Sequence, residues 1–151
     1  MMKRMQQDAV LLSLINEMKA KGSWCGETHI QKAAYFLQAL MQVPMSFEFI
    51  LYKHGPYSFD LSDEVTALRA DRLLEYKTRL PYGPSLFPTK EGQEFLIRYP
   101  KTLSNMRKRS SLSLRKLERW ELLIWNVWPL LFSLHSTKTK KGNHDRFGLL
   151  S

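Results

Sequence analysis

The stretch Lys53-His54-Gly55-Pro56-Tyr57-Ser58 decides how this chain of 151 residues folds, because it separates a strand-like segment from a helix-like one. The segment before it, Phe47-Glu48-Phe49-Ile50-Leu51-Tyr52, is rich in aromatic and β-branched residues, which is typical of a strand. The apolar residues after it recur at helical spacing, at Leu61, Val65 and Leu68. The pattern therefore predicts a strand before this stretch and a helix after it.

Gly55 and Pro56 are the residues of this stretch that favour a turn. We expect them to join the strand directly to the helix. We also expect the Ser58 hydroxyl to accept hydrogen bonds from the first free amides of that helix. Alternation along the strand then turns Phe47 and Leu51 toward the core.

Two amphipathic helices are predicted before the strand. The first ends at Gly22-Ser23. Its apolar face consists of Val10, Leu11, Leu14, Ile15 and Met18. The second begins near Thr28 and Gln31, which have the spacing of a capping box, and it ends before Pro44. Its apolar stripe consists of Ile30, Ala33, Ala34, Leu37, Leu40 and Met41.

A two-stranded wing and a fourth helix are predicted after the third helix, which spans about residues 58–73. Residues 74–80 and 85–87 flank the turn-forming sequence Pro81-Tyr82-Gly83-Pro84. Thr89 is placed to cap the next helix, which Pro100 ends. This order of elements predicts an α+β fold: a helix-rich, winged-helix-like domain with a small β-hairpin wing and a C-terminal helical extension.

The positive charge of the chain is concentrated toward its C-terminus. Of the formal net charge of +9, residues 1–100 contribute little, with 12 Lys and Arg against 11 Asp and Glu, whereas residues 101–151 carry 11 against 3. We therefore divide the chain into a domain over residues 1–100 and a basic, Trp-rich extension over residues 101–151, which begins as a linker or an exposed helix face. The extension either favours solubility or attracts nucleic acid, anionic lipid or an acidic protein; nucleic acid would bind it weakly.

Cysteine content and hydropathy predict a cytoplasmic protein. Cys25 is the single cysteine, so the chain forms no intramolecular disulfide, which fits a reducing compartment. The apolar residues near the N-terminus have helical spacing and do not form a signal peptide. Residues 117–134 are apolar but short, and Glu121, Asn126 and Pro129 interrupt them, so we expect no transmembrane segment.

The sequence signals for catalysis, metal binding and cofactor binding are all poor. Cys25 and His29 have the spacing of a thiolate–base pair on a helix, but Gly22 and Gly26 place the cysteine in a loop, where an inert thiol is expected. The four histidines lack metal-ligand spacing, and the chain has no phosphate loop, HExxH or GxSxG. We therefore expect no catalytic residue, no metal, no cofactor and no enzymatic activity.

A DNA-binding transcriptional regulator is the alternative function, because winged-helix domains often bind DNA. The helix in the recognition position carries more acidic than basic residues, with Asp60, Asp63, Glu64 and Asp71 against Arg69 and Arg72. Phosphates repel an acidic helix, and base readout normally uses Arg, Lys, Asn or Gln at its start. The sequence therefore disfavours DNA contact through this helix.

The sequence Gln31-Lys32-Ala33-Ala34-Tyr35-Phe36-Leu37, followed by the strand and by Tyr52-Lys53-His54-Gly55-Pro56-Tyr57-Ser58, resembles the Panacea or SocA-like antitoxin domain and related phage-associated proteins. The resemblance covers about residues 8–99. It implies a cytoplasmic, non-catalytic domain that neutralises a toxin by binding it, or that serves in some members as an adaptor for proteolysis. His54 replaces the usual aromatic residue before Gly-Pro, and Tyr57-Ser58 replaces Val-Val or Val-Pro, which points to the phage-associated branch.

We place the partner-binding surface for a protein partner, such as a cognate toxin, where the second helix meets the expected turn. Its residues are Lys32, Tyr35, Lys53, His54, Gly55, Pro56 and Tyr57. The side chains of Lys32, Tyr35, Lys53, His54 and Tyr57 combine apolar bodies with polar tips, as interface residues commonly do. The alternative for them is an ordinary place in the core and on helix surfaces.

Overall fold

The computed structural model describes residues 2–79 and 82–114. The helices are α1 (Arg4–Ala20), α2 (Glu27–Ala39), α3 (Phe59–Ala70), α4 (Lys90–Ile97) and α5 (Pro100–Leu114). The strands are β1 (Ile50–Tyr52), β2 (Gly55–Tyr57), β3 (Leu74–Arg79) and β4 (Tyr82–Pro88). Strand β1 pairs with β2, and β3 pairs with β4, in two separate antiparallel hairpins. These elements confirm the predicted α+β fold with a small β-hairpin.

Helix α1 lies at the centre of the described domain. Every residue from Asp8 to Ile15 is buried, so this helix is covered on all sides of its middle and not only along one stripe. It packs against α2, α4, α5 and β4. The core around it includes Ile30, Ala34, Leu37, Met45, Phe47, Leu61, Leu68 and Leu86.

Two polar residues begin helices as the sequence predicts. The Ser58 hydroxyl accepts a hydrogen bond from the Leu61 amide at 3.3 Å, and the Thr89 hydroxyl accepts one from the Gly92 amide at 3.0 Å. Each oxygen satisfies an amide that has no partner within its own helix. The predicted capping box of α2 is wrong, because Gly26 is the N-cap and no side chain caps that helix.

The predicted junction between strand and helix is also wrong. Gly55 and Pro56 do not form the turn; they belong to β2, which pairs with β1 in the register Tyr52 to Gly55 and Leu51 to Pro56. The turn consists of Lys53 and His54. A second short strand therefore separates the first strand from α3, and the backbone of Gly55 adopts a φ of +122°, a conformation that glycine accommodates best.

The predicted core positions of this strand are half correct. Phe47 is buried, whereas Leu51 is 52% exposed. Alternation along a strand predicts which side chains share a face, but it does not determine whether anything covers that face. In the described residues Leu51 lies on β1, the exposed strand of the hairpin, whereas β2 packs against α2.

Helix α5 is the described part of the predicted extension. It packs against α1, and Met106 is buried in that contact region. The segment after Pro100 is therefore a helix and not a linker, and most of residues 101–108 are exposed or half-buried, in agreement with the predicted exposed helix face. The Trp-rich segment, residues 117–134, lies outside the described residues, and the division of the chain at residue 100 stays a prediction.

Candidate protein-binding site

The β1–β2 hairpin presents exposed apolar side chains beside α3. Ile50, Leu51, Tyr52 and Phe59 are 48%, 52%, 56% and 61% exposed. Ile50 lies opposite Tyr57, and Tyr52 lies two residues from Ile50, so these three side chains share one face of the hairpin. We call Ile50, Tyr52, Tyr57 and Phe59, with Lys53 and His54 at the turn, the hairpin surface.

Aromatic contacts hold this surface together. The ring of Tyr57 lies between two others, with its centroid 5.7 Å from that of Tyr52 and 5.1 Å from that of Phe59. The contact with Phe59 is edge to face, a favourable arrangement of aromatic rings. The Tyr57 hydroxyl also lies 3.4 Å from a carboxylate oxygen of Glu27 at the start of α2. The three rings therefore form a continuous aromatic patch from the hairpin to α3.

A buried glutamine fixes the C-terminal end of the hairpin. The side-chain amide of Gln31 on α2 donates to the Ser58 carbonyl at 3.0 Å, and its carbonyl accepts from the Ser58 amide at 2.8 Å. Both Gln31 and Ser58 are buried, so water does not compete for these groups. The glutamine thus satisfies both backbone groups of the residue that caps α3.

A second glutamine fixes the N-terminal end in the same way. The side-chain amide of Gln38 donates to the Phe47 carbonyl at 2.8 Å, and its carbonyl accepts from the Phe47 amide at 2.9 Å. The role of neither glutamine was predicted from the sequence. The available signal was two amides seven residues apart along a helix whose neighbouring positions are apolar, which places them on one face.

The structure brings some of the predicted partner-binding residues together. Tyr57, Lys53 and His54 belong to the hairpin surface, and the two turn residues are exposed. Gly55 and Pro56 are buried, where β2 packs against α2. They support the hairpin and have no accessible side-chain surface for a partner.

Of the two predicted residues on α2, Tyr35 contacts the segment before the hairpin. Tyr35 is half-buried, and its ring centroid is 5.3 Å from that of Phe49, the residue before β1. Lys32 is half-buried as well, and burial lowers the pKa of its ammonium group. Tyr35 therefore connects α2 to the residue that precedes the exposed strand.

The contact between Ser85 and Lys19 resembles the Ser–Lys pair of some hydrolases, in which the serine hydroxyl is the nucleophile and the lysine is its base. The Lys19 ammonium donates to the Ser85 hydroxyl at 2.6 Å and to the Trp24 carbonyl at 3.1 Å, and it lies 3.7 Å above the centroid of the Phe87 ring. These contacts favour the charged lysine, which is not a base. Ser85 is only 3% exposed and donates to the Trp24 carbonyl. The pair links β4 to α1.

Cys25 occupies a structural position, which agrees with the expected inert thiol. Its side chain is fully buried, and burial raises the pKa of the thiol. Its carbonyl accepts a hydrogen bond from the Leu86 amide at 3.0 Å, so the residue joins the segment before α2 to β4. Burial lowers the pKa of His29, which makes the neutral imidazole the favoured form.

An open groove of about 670 Å³ runs between α1, α4 and α5. Asn16, Gln93, Leu96, Leu103, Ser104 and Arg107 are among its lining residues. Gln93 donates to Asn16 at 2.9 Å, and Arg107 pairs with Glu17 at 3.4 Å. Among the described residues, the lining contains no carboxylate, thiol or imidazole, and its charged side chains are those of Arg107 and Lys108.

The described residues contain neither a candidate metal site nor a candidate membrane-spanning helix. No group of three or more His, Cys, Asp or Glu side chains among them could hold a metal ion. In the same part of the chain, no helix has the length and apolar character needed to cross a membrane.

Comparisons of this chain with known protein families, with characterised proteins and with solved structures give no match. The resemblance to the Panacea or SocA-like antitoxin domain therefore rests on the two short motifs and stays a prediction.

Proposed function

We propose that this chain is a non-enzymatic protein-interaction module of the antitoxin type, which neutralises a toxin by binding it directly through the hairpin surface. One observation supports the proposal most strongly: Tyr52 and Phe59, at the two ends of the aromatic patch, are exposed although the hairpin is firmly attached at both ends. Clustered exposed apolar side chains commonly mark interaction sites, and Tyr is among the residues that contribute most to binding energy.

The attachment of the hairpin supports this proposal because it lowers the cost of binding. A short two-stranded hairpin is only marginally stable by itself. Here Gln38 holds Phe47 before the hairpin, and Gln31 holds Ser58 after it. A surface that is already ordered loses less conformational entropy when a partner binds.

The charges on α3 favour a protein partner over DNA. Asp60 and Asp63 are exposed on the first turns of α3, close in sequence to Phe59 of the hairpin surface. Carboxylates at this position repel phosphates, and they suit a partner that carries Lys or Arg around an apolar centre.

Co-expression tests this function. A small reading frame next to the gene for this chain would be expressed alone and then together with the chain. The expected result is that the small protein alone arrests growth and that the intact chain restores it and binds the small protein after purification. Unchanged growth in all combinations, with no complex between the purified proteins, would contradict the proposal.

A further inference from the structure

We infer that the outer edge of β1 pairs with the same edge of a second copy of this chain, so that two hairpins form one four-stranded antiparallel sheet. This inference goes beyond the proposed function, because it concerns an edge of the hairpin and not the aromatic face. Edge pairing does not involve Tyr57 or Phe59, so this part of the hairpin surface remains available to a partner.

Pro56 determines which backbone groups point outward. In an antiparallel pair of strands, hydrogen-bonded residue pairs alternate with non-hydrogen-bonded pairs. The amide and carbonyl groups of a non-hydrogen-bonded pair point away from the partner strand. Pro56 lies opposite Leu51 and has no amide hydrogen, so these two residues form a non-hydrogen-bonded pair. The amide and carbonyl of Leu51 therefore point to the outer edge of β1.

The two edges of the hairpin differ in their ability to pair. The outer edge of β2 has Pro56 at its central position and lacks a donor there, and this strand packs against α2. Within the described residues, β1 has no neighbour other than β2. It carries neither proline nor a charged residue, the devices that commonly protect an edge strand from pairing.

The sequence around Leu51 is complementary to itself. If two Leu51 residues face each other across a two-fold axis, they exchange both hydrogen bonds, and Ile50 of one copy faces Tyr52 of the other. Exposed apolar side chains thus cover each other on both sides of the axis. The same register places Glu48 of one copy beside the turn of the other, which carries Lys53 and His54.

The mass of the full chain in solution, measured by light scattering over a range of concentrations, tests the inference. We expect the mass to rise toward that of two chains as concentration increases. Leu51→Pro removes the outward donor without removing a hydrogen bond to β2, and it should keep the chain monomeric, whereas Leu51→Val keeps the donor and should still associate. A wild-type chain that stays monomeric throughout, or a folded Leu51→Pro chain that dimerises like the wild type, overturns the inference.

A charge exchange gives an independent test if Leu51→Pro does not fold. Glu48→Lys places a lysine beside Lys53 of the second copy. The double change Lys53→Glu with His54→Glu places two carboxylates beside Glu48 of the second copy. Each variant alone should dimerise at least several-fold more weakly than the wild type, and an equimolar mixture should form the mixed dimer. Because these three residues are exposed, the changes should not affect folding. Equal self-association of both variants, with no preference for the mixed dimer, overturns the inference.

Discussion

Gln31 and Gln38 lie seven residues apart on α2, and each pairs its side-chain amide with both backbone groups of one residue at an end of the segment 47–58. Seven residues are two helical turns, so the two side chains extend from the same face of the helix, about 10 Å apart along its axis. The position of the hairpin is therefore set by α2 and not only by the few hydrogen bonds between β1 and β2.

Replacement of Gln31 by Ala should destabilise the fold more than the same change at Gln38. Gln31→Ala removes two hydrogen bonds and leaves the buried Ser58 amide without a partner, whereas the Ser58 carbonyl still accepts from the Ser62 amide at 3.2 Å. The expected cost is about 2–3 kcal/mol. Gln38 is half-buried, so water can replace its hydrogen bonds in part, and a loss of about 1–2 kcal/mol is expected. Urea unfolding measures both losses.

Gln93→Ala is the control for this pair of variants. Gln93 is exposed and donates to Asn16 on the surface, so its replacement should change the free energy of unfolding by less than about 0.5 kcal/mol. If the Gln31 and Gln38 variants were as stable as this control, the two glutamines would not hold the hairpin.

Local signals in the sequence predict the helices and two of their caps. Ser58 and Thr89 each precede a run of helical spacing, and a hydroxyl cap depends only on the residues of the next turn. The capping box predicted at Gln31 is wrong, because the side chain of Gln31 bonds instead to the backbone amide and carbonyl of Ser58. Residues 31 and 58 are far apart in sequence, and the spacing of residues within one helix does not predict such a contact.

The candidate site was predicted in part for a similar reason. The amphipathic side chains of Tyr57, Lys53 and His54 predict a surface position, and the structure puts Lys53 and His54 at an exposed turn and leaves Tyr57 half-buried. The core position predicted for Leu51 is wrong, because hydropathy does not distinguish a covered strand from an exposed one. Phe59 was missed because it has the apolar character of a core residue and sits in the first turn of a helix.

Gly92→Ala should strongly destabilise the start of α4. A β-carbon at this position would overlap the carbonyl oxygen of Leu73, which belongs to the backbone and cannot rotate away. The overlap requires α4 or the segment before β3 to move, at an expected cost of about 1–3 kcal/mol.

Gly83→Ala is the matched control, because a β-carbon there meets nothing within 4 Å. Thermal unfolding of the two variants should give a clear decrease in Tm for Gly92→Ala and a small change for Gly83→Ala. Equal values of Tm would contradict the close packing of α4 on Leu73.

The stability of the protein should fall as pH rises through the titration of Asp8. Burial, together with the neighbouring Glu64 carboxylate, raises the pKa of Asp8 to about 7, while Arg4 opposes this shift. Arg4 also pairs with Glu64 at 3.1 Å, and Asp71 adds a smaller repulsion. Because the folded state binds the proton more tightly than the unfolded state, the stability present at acidic pH decreases between about pH 4 and pH 7.

Asp8→Asn removes this titration and should flatten the pH dependence. Relative to the wild type, the variant should gain on the order of 2 kcal/mol in unfolding free energy between pH 5 and pH 8, as measured by urea midpoints at each pH. A constant difference between the two proteins across this range would show that Asp8 ionises normally in the folded state.

Duplex DNA should bind the full chain only through general electrostatic attraction. Arg69 and Arg72 are the basic residues of the acidic helix α3 and its end, and Arg69 already lies over the Tyr76 ring at 3.8 Å. Replacement of both arginines by Gln should change the affinity less than about threefold. An increase from 50 to 200 mM salt should lower it by about tenfold or more, as fluorescence anisotropy would show. A much larger effect of the arginine changes, limited to particular DNA sequences, would support the regulator function.

The hairpin surface should tolerate substitution without loss of the fold but with loss of partner binding. His54 is exposed and Tyr57 is half-buried against Tyr52 and Phe59, so replacement of His54 and Tyr57 by Ala removes the polar turn and the central ring of the patch. Affinity for the toxin identified by co-expression should fall by about 1–3 kcal/mol, with an unchanged helical circular dichroism signal. Ile97→Ala is the control, because Ile97 is apolar and 77% exposed but lies on α4. An equal loss of affinity in both variants would place the partner elsewhere, and a lost dichroism signal in the first would assign Tyr57 to the core.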